Sequence, residues 1–350
     1  MTTMIQDNSA PDLPIKLRFI FWFNFILRHF FPKNAFLLEQ QKELQQSFKG
    51  GDHRGPRFVP VERRENLSED EFIRLYLNRS VPVIFSGQAL TWPCTRKWGF
   101  PFLENELKDF EFTLFDSPGL IERRFRPETA GDRPVIIEKI KAADLAKAVK
   151  NGDKKYVRFS TIMDDMKSLI DDLDTAWLKT MRRSLFGVCY QNFIGGAGRI
   201  TPFHAESTSL FYVMADGEKK WSLVRPESTP LMNPGCDRHA YLGSDLDFSQ
   251  PDEAAYPGLK RITCFEAHLK KGDILFVPAW HWHQVENLTD SWGVSYSFSC
   301  FRNFARYPGQ VIVRSFLSKP SFWANLAEGL FSRKIKSHES DFASPRIFRD

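Results

Sequence analysis

The chain has 350 residues, enough for one large domain or two ordinary ones with a full hydrophobic core. Hydrophobic residues make up 42% and charged residues 26%, which excludes a disordered chain and indicates a soluble, globular protein. A net charge of +5 is mild at this length and gives no specific sign of nucleic-acid binding. The five cysteines are scattered without a CxxC pair, which argues against a disulfide framework or a zinc knuckle and predicts a reducing, cytoplasmic setting.

The first distinctive stretch, residues 14–31, is aromatic and basic. Its apolar run from Phe19 to Leu27 is interrupted by Asn24 and ends at Arg28, so it is shorter than the ~20 apolar residues that a transmembrane helix needs. No small-residue cleavage site follows, which argues against a signal peptide. A helix places these apolar residues on one face: Phe19, Phe23, Ile26, Leu27 and Phe30. Such a face predicts packing against the core or a dimer interface, with peripheral membrane contact through residues 14–31 as the alternative.

Residues 1–59 are predicted to form this helical extension, a second helix from about Asn34 to Ser47, and a Gly/Pro/Arg-rich linker. Ser68 and Glu71 have the spacing of a capping box and predict the start of another helix. Strands and helices then alternate, with strands predicted at 81–85, 110–115 and 155–162, and helices at 138–150 and 162–183.

From Gly187 the pattern changes to short strands with regular turn signals, which predicts a barrel or a sandwich. Residues 231–258 form a Pro/Gly/Asp-rich insertion, long enough to be a functional loop near the mouth of a site. Residues 306–350 are predicted to form a C-terminal helical segment. Its apolar faces need a partner, either within the monomer or in a homodimer through these helices.

A histidine and a carboxylate stand two residues apart at His204 and Glu206. In a strand, residues two apart point to the same face, so both side chains can reach one metal ion. A second histidine would complete a two-histidine, one-carboxylate set, which leaves positions on a ferrous ion open for oxygen and a co-substrate. His283 is the histidine expected to do so, and His281 is its rival on the same face if the strand includes both.

Four stretches carry a resemblance to a known family: VPVIFSGQALTWP at 81–93, TPFHAE at 201–206, Gly217-Glu218-Lys219, and GDILFVPAWHWHQVEN at 272–287. Together they resemble the JmjC/cupin-type hydroxylases, and most of all the group that contains the asparaginyl hydroxylase acting on hypoxia-inducible factor. The resemblance covers roughly residues 60–305, which are therefore predicted to be the catalytic domain.

The resemblance implies a mainly β protein with flanking helices, built on the double-stranded β-helix of the jelly-roll and cupin folds. It also implies dependence on Fe(II), 2-oxoglutarate and O2. By position, His204, Glu206 and His283 match the metal ligands. These three residues are therefore the expected catalytic residues.

The same resemblance implies a site for 2-oxoglutarate. Lys219 matches the lysine that pairs with its distal carboxylate, and Thr201 matches a hydroxyl partner. Tyr156 is a weaker candidate for the same carboxylate. Lys220, the next residue along, is the competitor of Lys219. A buried carboxylate needs such a cation or several hydrogen-bond donors.

The expected function is hydroxylation of an unactivated C–H bond in a protein side chain, a peptide or a small molecule. Lysine demethylation is less favoured, because no segment resembles a chromatin-targeting module. One departure matters: the family's carboxylate ligand is usually aspartate, and here it is Glu206. The longer side chain predicts lower iron affinity or turnover. It also supports a second hypothesis, a non-catalytic cupin-like protein that binds a metal or a small acid.

Overall fold

Two β-sheets face each other across an apolar layer, in a computed structural model that describes residues 13–49, 56–115, 137–160, 162–183, 189–236, 241–248 and 252–318. The strands are β1 (Arg57–Pro60), β2 (Arg63–Arg64), β3 (Val83–Phe85), β4 (Glu111–Phe115), β5 (Ile137–Lys141), β6 (Tyr156–Ser160), β7 (Cys189–Gly195), β8 (Ile200–Ala205), β9 (Ser209–Asp216), β10 (Glu218–Val224), β11 (Leu242–Gly243), β12 (Thr263–Lys270), β13 (Ile274–Val277), β14 (Trp282–Asn287) and β15 (Ser291–Phe298).

One sheet has the order β1-β12-β10-β14-β8-β11, and the other has the order β2-β3-β13-β9-β15-β7-β6. Consecutive strands such as β8 and β9 lie in different sheets, and neighbours within the main part of each sheet run antiparallel. Side chains alternate between the faces of each strand, so one set fills the space between the sheets. The predicted fold class, a double-stranded β-helix with flanking helices, is confirmed.

Helices cover the outer faces of both sheets. They are α1 (Ile15–Phe30), α2 (Ala35–Ser47), α3 (Glu69–Phe72), α4 (Pro93–Lys97), α5 (Phe100–Asn105), α6 (Ala142–Lys150), α7 (Ile162–Asp165), α8 (Thr175–Arg182), α9 (Phe301–Ala305) and α10 (Pro308–Ile312). Helix α1 packs on the six-stranded sheet, whereas α3 to α8 belong to the cluster on the seven-stranded sheet. No helix among the described residues is both long and apolar enough to cross a membrane.

Helix α1 packs on the core with the opposite side from the one expected. Phe21 and Phe25 are fully buried. The predicted apolar face is largely open, because Phe19 is 71% exposed, Phe23 58% and Phe30 54%. Helix α1 carries apolar residues on all of its faces, so the spacing of these residues alone did not distinguish the buried side from the exposed one.

Two of the predicted helices are shorter than expected. Residues 138–141 of the expected helix at 138–150 instead belong to β5, which pairs along its length with β4. The expected helix at 162–183 is divided into α7, a 3-10 turn at Lys167–Asp172, and α8. Tertiary pairing has overridden local propensity in the first case. Most of the predicted C-terminal helical segment lies outside the described residues, which end at 318.

The Gly-Asp turn before β13 connects three parts of the chain through one carboxylate. Asp273 is 3% exposed and accepts hydrogen bonds from the Arg63 guanidinium at 2.6 Å and from the backbone N–H groups of Gly87 and Lys270. A buried carboxylate is stable only with such donors. The turn therefore fixes β2 and the loop after β3 against the strand that follows.

Candidate active site

The two expected histidine ligands lie on neighbouring strands. His204 on β8 is directly opposite His283 on β14, and their ring centroids are 4.1 Å apart. On the other side of β8, the short strand β11 pairs with it at Gly243. Strand β11 belongs to the 231–258 insertion, so this insertion reaches the site, as its length suggested.

Hydrogen bonds fix the orientation of both imidazoles. Nδ1 of His204 lies 2.9 Å from the carbonyl oxygen of Pro202, and Nδ1 of His283 lies 2.9 Å from that of His281. A carbonyl only accepts, so Nδ1 carries a proton in both rings. Burial lowers the pKa of His283 to about 4, which keeps this ring neutral. A neutral imidazole that donates through its other nitrogen to a backbone carbonyl is the usual form of a metal ligand.

The carboxylate candidate, Glu206, follows directly after the end of β8. Its carbonyl oxygen accepts a 2.7 Å hydrogen bond from the backbone N–H of Trp280, just before β14. Trp280 has a φ of +66°, an uncommon conformation for a bulky residue, so this turn holds backbone strain. Burial raises the pKa of the Glu206 carboxyl to about 7, because loss of solvent disfavours its charged form.

The two histidines and Glu206 line a single cavity of about 20 Å³ between the sheets. No three histidine, cysteine, aspartate or glutamate side chains in the described part of the chain lie close enough together to hold a metal ion as they stand. Side-chain rotation is therefore needed to form a three-ligand set. The donor chemistry of two imidazoles and one carboxylate on one cavity suits a ferrous ion.

Lys219 is completely buried on β10 and lies beside this cavity rather than in its lining. Its Nζ donates to Oδ1 of Asn287 at 2.8 Å, and it stands 5.3 Å from the ring centroid of Tyr156. Burial lowers the pKa of Lys219 to about 7. Lys220 points to the opposite face of the strand and forms a 2.8 Å ion pair with Glu266, so it is not in the cavity.

The other two residues expected to bind the co-substrate lie together. The Tyr156 hydroxyl is 3.1 Å from Oγ1 of Thr201, and both residues line the cavity. Burial raises the pKa of Tyr156, so its hydroxyl keeps its proton. The structure thus places the Lys219 amine near two hydroxyls that line the cavity, and one of them, that of Thr201, is on the same strand as His204.

His281, the rival ligand, is buried outside the cavity lining. Its Nδ1 is 3.5 Å from the carbonyl oxygen of Ala279, and its Nε2 has no hydrogen-bond partner among the described residues. Burial lowers its pKa to about 3. Strand β14 begins only at Trp282, which explains why the two histidines do not share a face.

Aromatic side chains form two walls of the cavity. Phe159 stands 6.1 Å from the His204 ring and stacks on Tyr241 of the insertion at 5.7 Å. It has a φ of +56° within a bulge of β6, which directs its side chain into the cavity. On the opposite wall Trp221 stacks on His283 at 5.4 Å. The position of Trp221 could have been predicted, because it lies two residues after Lys219 and therefore on the same face of the strand.

Comparison with known proteins gives a consistent family. A family model described as a cupin-like domain matches residues 68–304. The chain is 25% identical over 272 residues to the arginine-specific demethylase JMJ22 of Arabidopsis thaliana, covering 75% of this chain and 49% of that protein. It is 26% identical over 254 residues to HSPB1-associated protein 1 of Rattus norvegicus, covering 65% and 50%.

A shorter match is 30% identical over 107 residues to lysine-specific demethylase 8 of Danio rerio, covering 31% of this chain and 26% of that protein. The chain thus spans half or less of the length of these relatives.

Proposed function

The chain belongs to the cupin-like domain family with JmjC-type relatives, and from this premise we propose that it is an Fe(II)- and 2-oxoglutarate-dependent oxygenase that hydroxylates a C–H bond. The observation that carries the proposal is the pairing of His204 with His283 in one cavity with Glu206. Both rings donate through Nδ1 to backbone carbonyls, which is the usual arrangement of an imidazole that binds a metal.

Each residue has a distinct part in this proposal. His204, Glu206 and His283 would hold the iron. Lys219 would neutralise the distal carboxylate of 2-oxoglutarate, and the hydroxyl pair of Thr201 and Tyr156 would donate a hydrogen bond to it. Bound iron with 2-oxoglutarate and O2 supplies the oxidation itself, and the protein orients the acid and excludes water.

The substrate would be a protein side chain, a peptide or a small molecule. Several relatives are named as demethylases of arginine or lysine, so a methylated side chain belongs among the substrates to test. The hydroxylation of a methyl group and of a side-chain carbon both attack a C–H bond. A mass increase of 16 on a candidate substrate would distinguish simple hydroxylation from loss of a methyl group.

The first experiment is anaerobic addition of ferrous iron and 2-oxoglutarate, followed through the weak visible charge-transfer band of the chelated keto acid. We expect the band in the wild type and in Glu206→Asp, and its absence in His204→Ala. If wild type gives no band but Glu206→Asp does, the natural site does not chelate the keto acid and the oxygenase proposal is wrong.

A specific observation favours a second candidate, a cupin-like protein that binds a metal or small acid without turnover. Glutamate replaces the usual aspartate at position 206, and the side chains as they stand do not form a three-ligand set among the described residues. The two candidates differ in one product. An oxygenase converts 2-oxoglutarate to succinate in the presence of iron and ascorbate, whereas a binding protein returns it unchanged.

We also propose that the exposed face of α1 lies against a lipid surface. Phe19, Phe23 and Phe30 point outward, and residues 13–38 contain four lysines and arginines without an aspartate or glutamate. Exposed aromatic side chains with basic neighbours suit an anionic membrane interface. All five cysteines lie in the described part of the chain and none is disulfide-bonded, which supports a location on the cytoplasmic side.

Cosedimentation with phosphatidylcholine vesicles, with and without phosphatidylserine, tests this proposal on the full chain. The double variant Phe19→Ser/Phe23→Ser should lose binding to the anionic vesicles, because each buried Phe contributes roughly 2 kcal/mol. Phe301→Ser is the matched control, since Phe301 is 81% exposed on a different helix. If the double variant instead abolishes a dimer and leaves vesicle binding intact, the surface is an interface between two copies.

A further inference from the structure

One tyrosine in the cavity carries a hydroxyl that no residue in the described chain satisfies. Tyr212 lies on β9, is 1% exposed and lines the cavity, and its hydroxyl has no hydrogen-bond partner among the described residues. Nε1 of Trp221, another lining residue, is also buried without a hydrogen-bond partner among the described residues. Buried polar groups are nearly always hydrogen-bonded, so each exception calls for an explanation.

The space for this hydroxyl depends on a glycine. Gly293 lies on β15, the strand next to β9, and a Cβ at this position would overlap the Tyr212 hydroxyl and ring. Phenylalanine at 212 would fill the apolar part of the niche without burying an unsatisfied group. The combination of a glycine that admits the hydroxyl and a hydroxyl without a protein partner points to a ligand.

The surroundings determine what kind of ligand this is. Nζ of Lys219 lies 5.8 Å from the Tyr212 ring centroid and 5.3 Å from that of Tyr156. An ammonium has three protons, and Asn287 accepts one of them at 2.8 Å. Burial raises the pKa of Tyr212 well above its ordinary value, so its hydroxyl remains a donor. A buried group of donors around one cation is suited to an anion.

We infer that the Tyr212 hydroxyl donates a hydrogen bond to the distal carboxylate of 2-oxoglutarate beside Lys219. The inference rests on the proposed function, and it adds to the binding set a residue that neither the sequence motifs nor the resemblance indicated. In this arrangement Lys219 provides the charge, and Tyr212 on the facing sheet provides a directional contact. Tyr212 thereby selects acids that carry a second carboxylate.

The test compares two keto acids that differ at the far end. Wild type and Tyr212→Phe are titrated by calorimetry with 2-oxoglutarate and with 2-oxobutyrate, which lacks the distal carboxylate, in the presence of a divalent metal that does not react with oxygen. Loss of a hydrogen bond to a charged group should weaken the binding of 2-oxoglutarate by roughly tenfold or more. The affinity for 2-oxobutyrate should stay at its wild-type value. Thermal unfolding without ligand should show that the variant is no less stable.

Tyr307→Phe is the matched control, because Tyr307 is a buried tyrosine that packs near Trp280 outside the cavity. It should leave both affinities unchanged. If Tyr212→Phe weakens the binding of both acids equally, Tyr212 only shapes the cavity. If it weakens the binding of neither acid, its hydroxyl does not reach the ligand. Either result overturns the inference and leaves the proposed function intact.

Glutarate separates the inference from the proposed function. It has both carboxylates but no keto group, so its binding does not need chelation to a metal. If wild type binds no keto acid, the proposed function fails. In that case, weaker binding of glutarate by Tyr212→Phe would still show that Tyr212 recognises a carboxylate. If wild type binds neither glutarate nor a keto acid, both are refuted.

Discussion

Replacing Lys219 by methionine should make the ligand-free protein more stable near neutral pH. Burial lowers the pKa of this lysine from 10.5 to about 7. At about 1.4 kcal/mol per pH unit, keeping this lysine in the fold at pH 7 costs roughly 4 kcal/mol relative to high pH. Methionine has a similar length and no charge, but it leaves Oδ1 of Asn287 without its donor, which costs about 2 kcal/mol. The net expectation is a gain of roughly 2 kcal/mol.

The sign of this effect depends on pH. The folded protein binds its Lys219 proton less tightly than the unfolded chain, so the unfolded state holds more protons between about pH 7 and 10.5. Wild-type stability therefore rises with pH across this window, and the advantage of Lys219→Met shrinks. Near pH 10 the lysine penalty falls to about 1 kcal/mol, below the cost of the lost hydrogen bond. The variant should then be no more stable than wild type.

Urea unfolding of the metal-free and ligand-free protein at pH 7 and pH 10 measures both quantities. Lys220→Met is the matched control, because this neighbouring lysine faces outward and its pKa is raised by a hydrogen bond with Glu266. A surface pair of this kind contributes at most about 1 kcal/mol, so the control should be neutral or slightly destabilised. If Lys219→Met is less stable than wild type at pH 7, or if its difference does not change with pH, Lys219 is not a strained buried cation and the reasoning is wrong.

Three further predictions concern the ligands and the frame that holds them. His283→Ala should lose Co(II) binding as measured by absorption spectroscopy, whereas His281→Ala should retain it; equal loss in both would contradict the assignment of His283. Gly217→Ala should destabilise the protein by about 2 kcal/mol in urea, because Gly217 has a φ of +78° and a Cβ would overlap the backbone of Asp290, between β14 and β15. Asp273→Ala should cost about 3 kcal/mol in the same assay, since it leaves the backbone N–H groups of Gly87 and Lys270 without their acceptor and removes one of the hydrogen bonds of Arg63. A loss below about 1 kcal/mol would mean that water replaces this carboxylate at little cost.

The arrangement of the ligand strands could be foreseen because it depends on alternation along a strand. His204 and Lys219 each lie in strands whose faces follow from sequence spacing, and the motif around His283 fixes the partner strand. The choice between Lys219 and Lys220 follows from the same rule, because residues one apart point to opposite faces. Sequence spacing therefore carried the main features of the site.

Features that depend on backbone conformation or on tertiary neighbours could not be foreseen. Phe159 reaches the cavity only because a bulge gives it a φ of +56°, and no pattern in the sequence marks that bulge. Tyr212 lies in a buried strand, and alternation would give its face but not its missing partner. Phe21 was indistinguishable from Phe19 until α1 was placed against the sheet. Propensity and period describe an element, whereas these three properties belong to its surroundings.

Strand β14 connects two chemically different ends of the site. It lies between β8 and β10, so it brings His283 opposite His204 and Asn287 opposite Lys219. Four residues separate these positions, or roughly 13 Å of strand, and all four side chains point inward because the separation is even. The histidine end therefore provides nitrogen atoms that can bind a metal, and the lysine end provides a hydrogen-bond donor. This difference between the two ends supports the proposed binding of 2-oxoglutarate, an acid that can chelate a metal with its keto end and carries a second carboxylate at the other end.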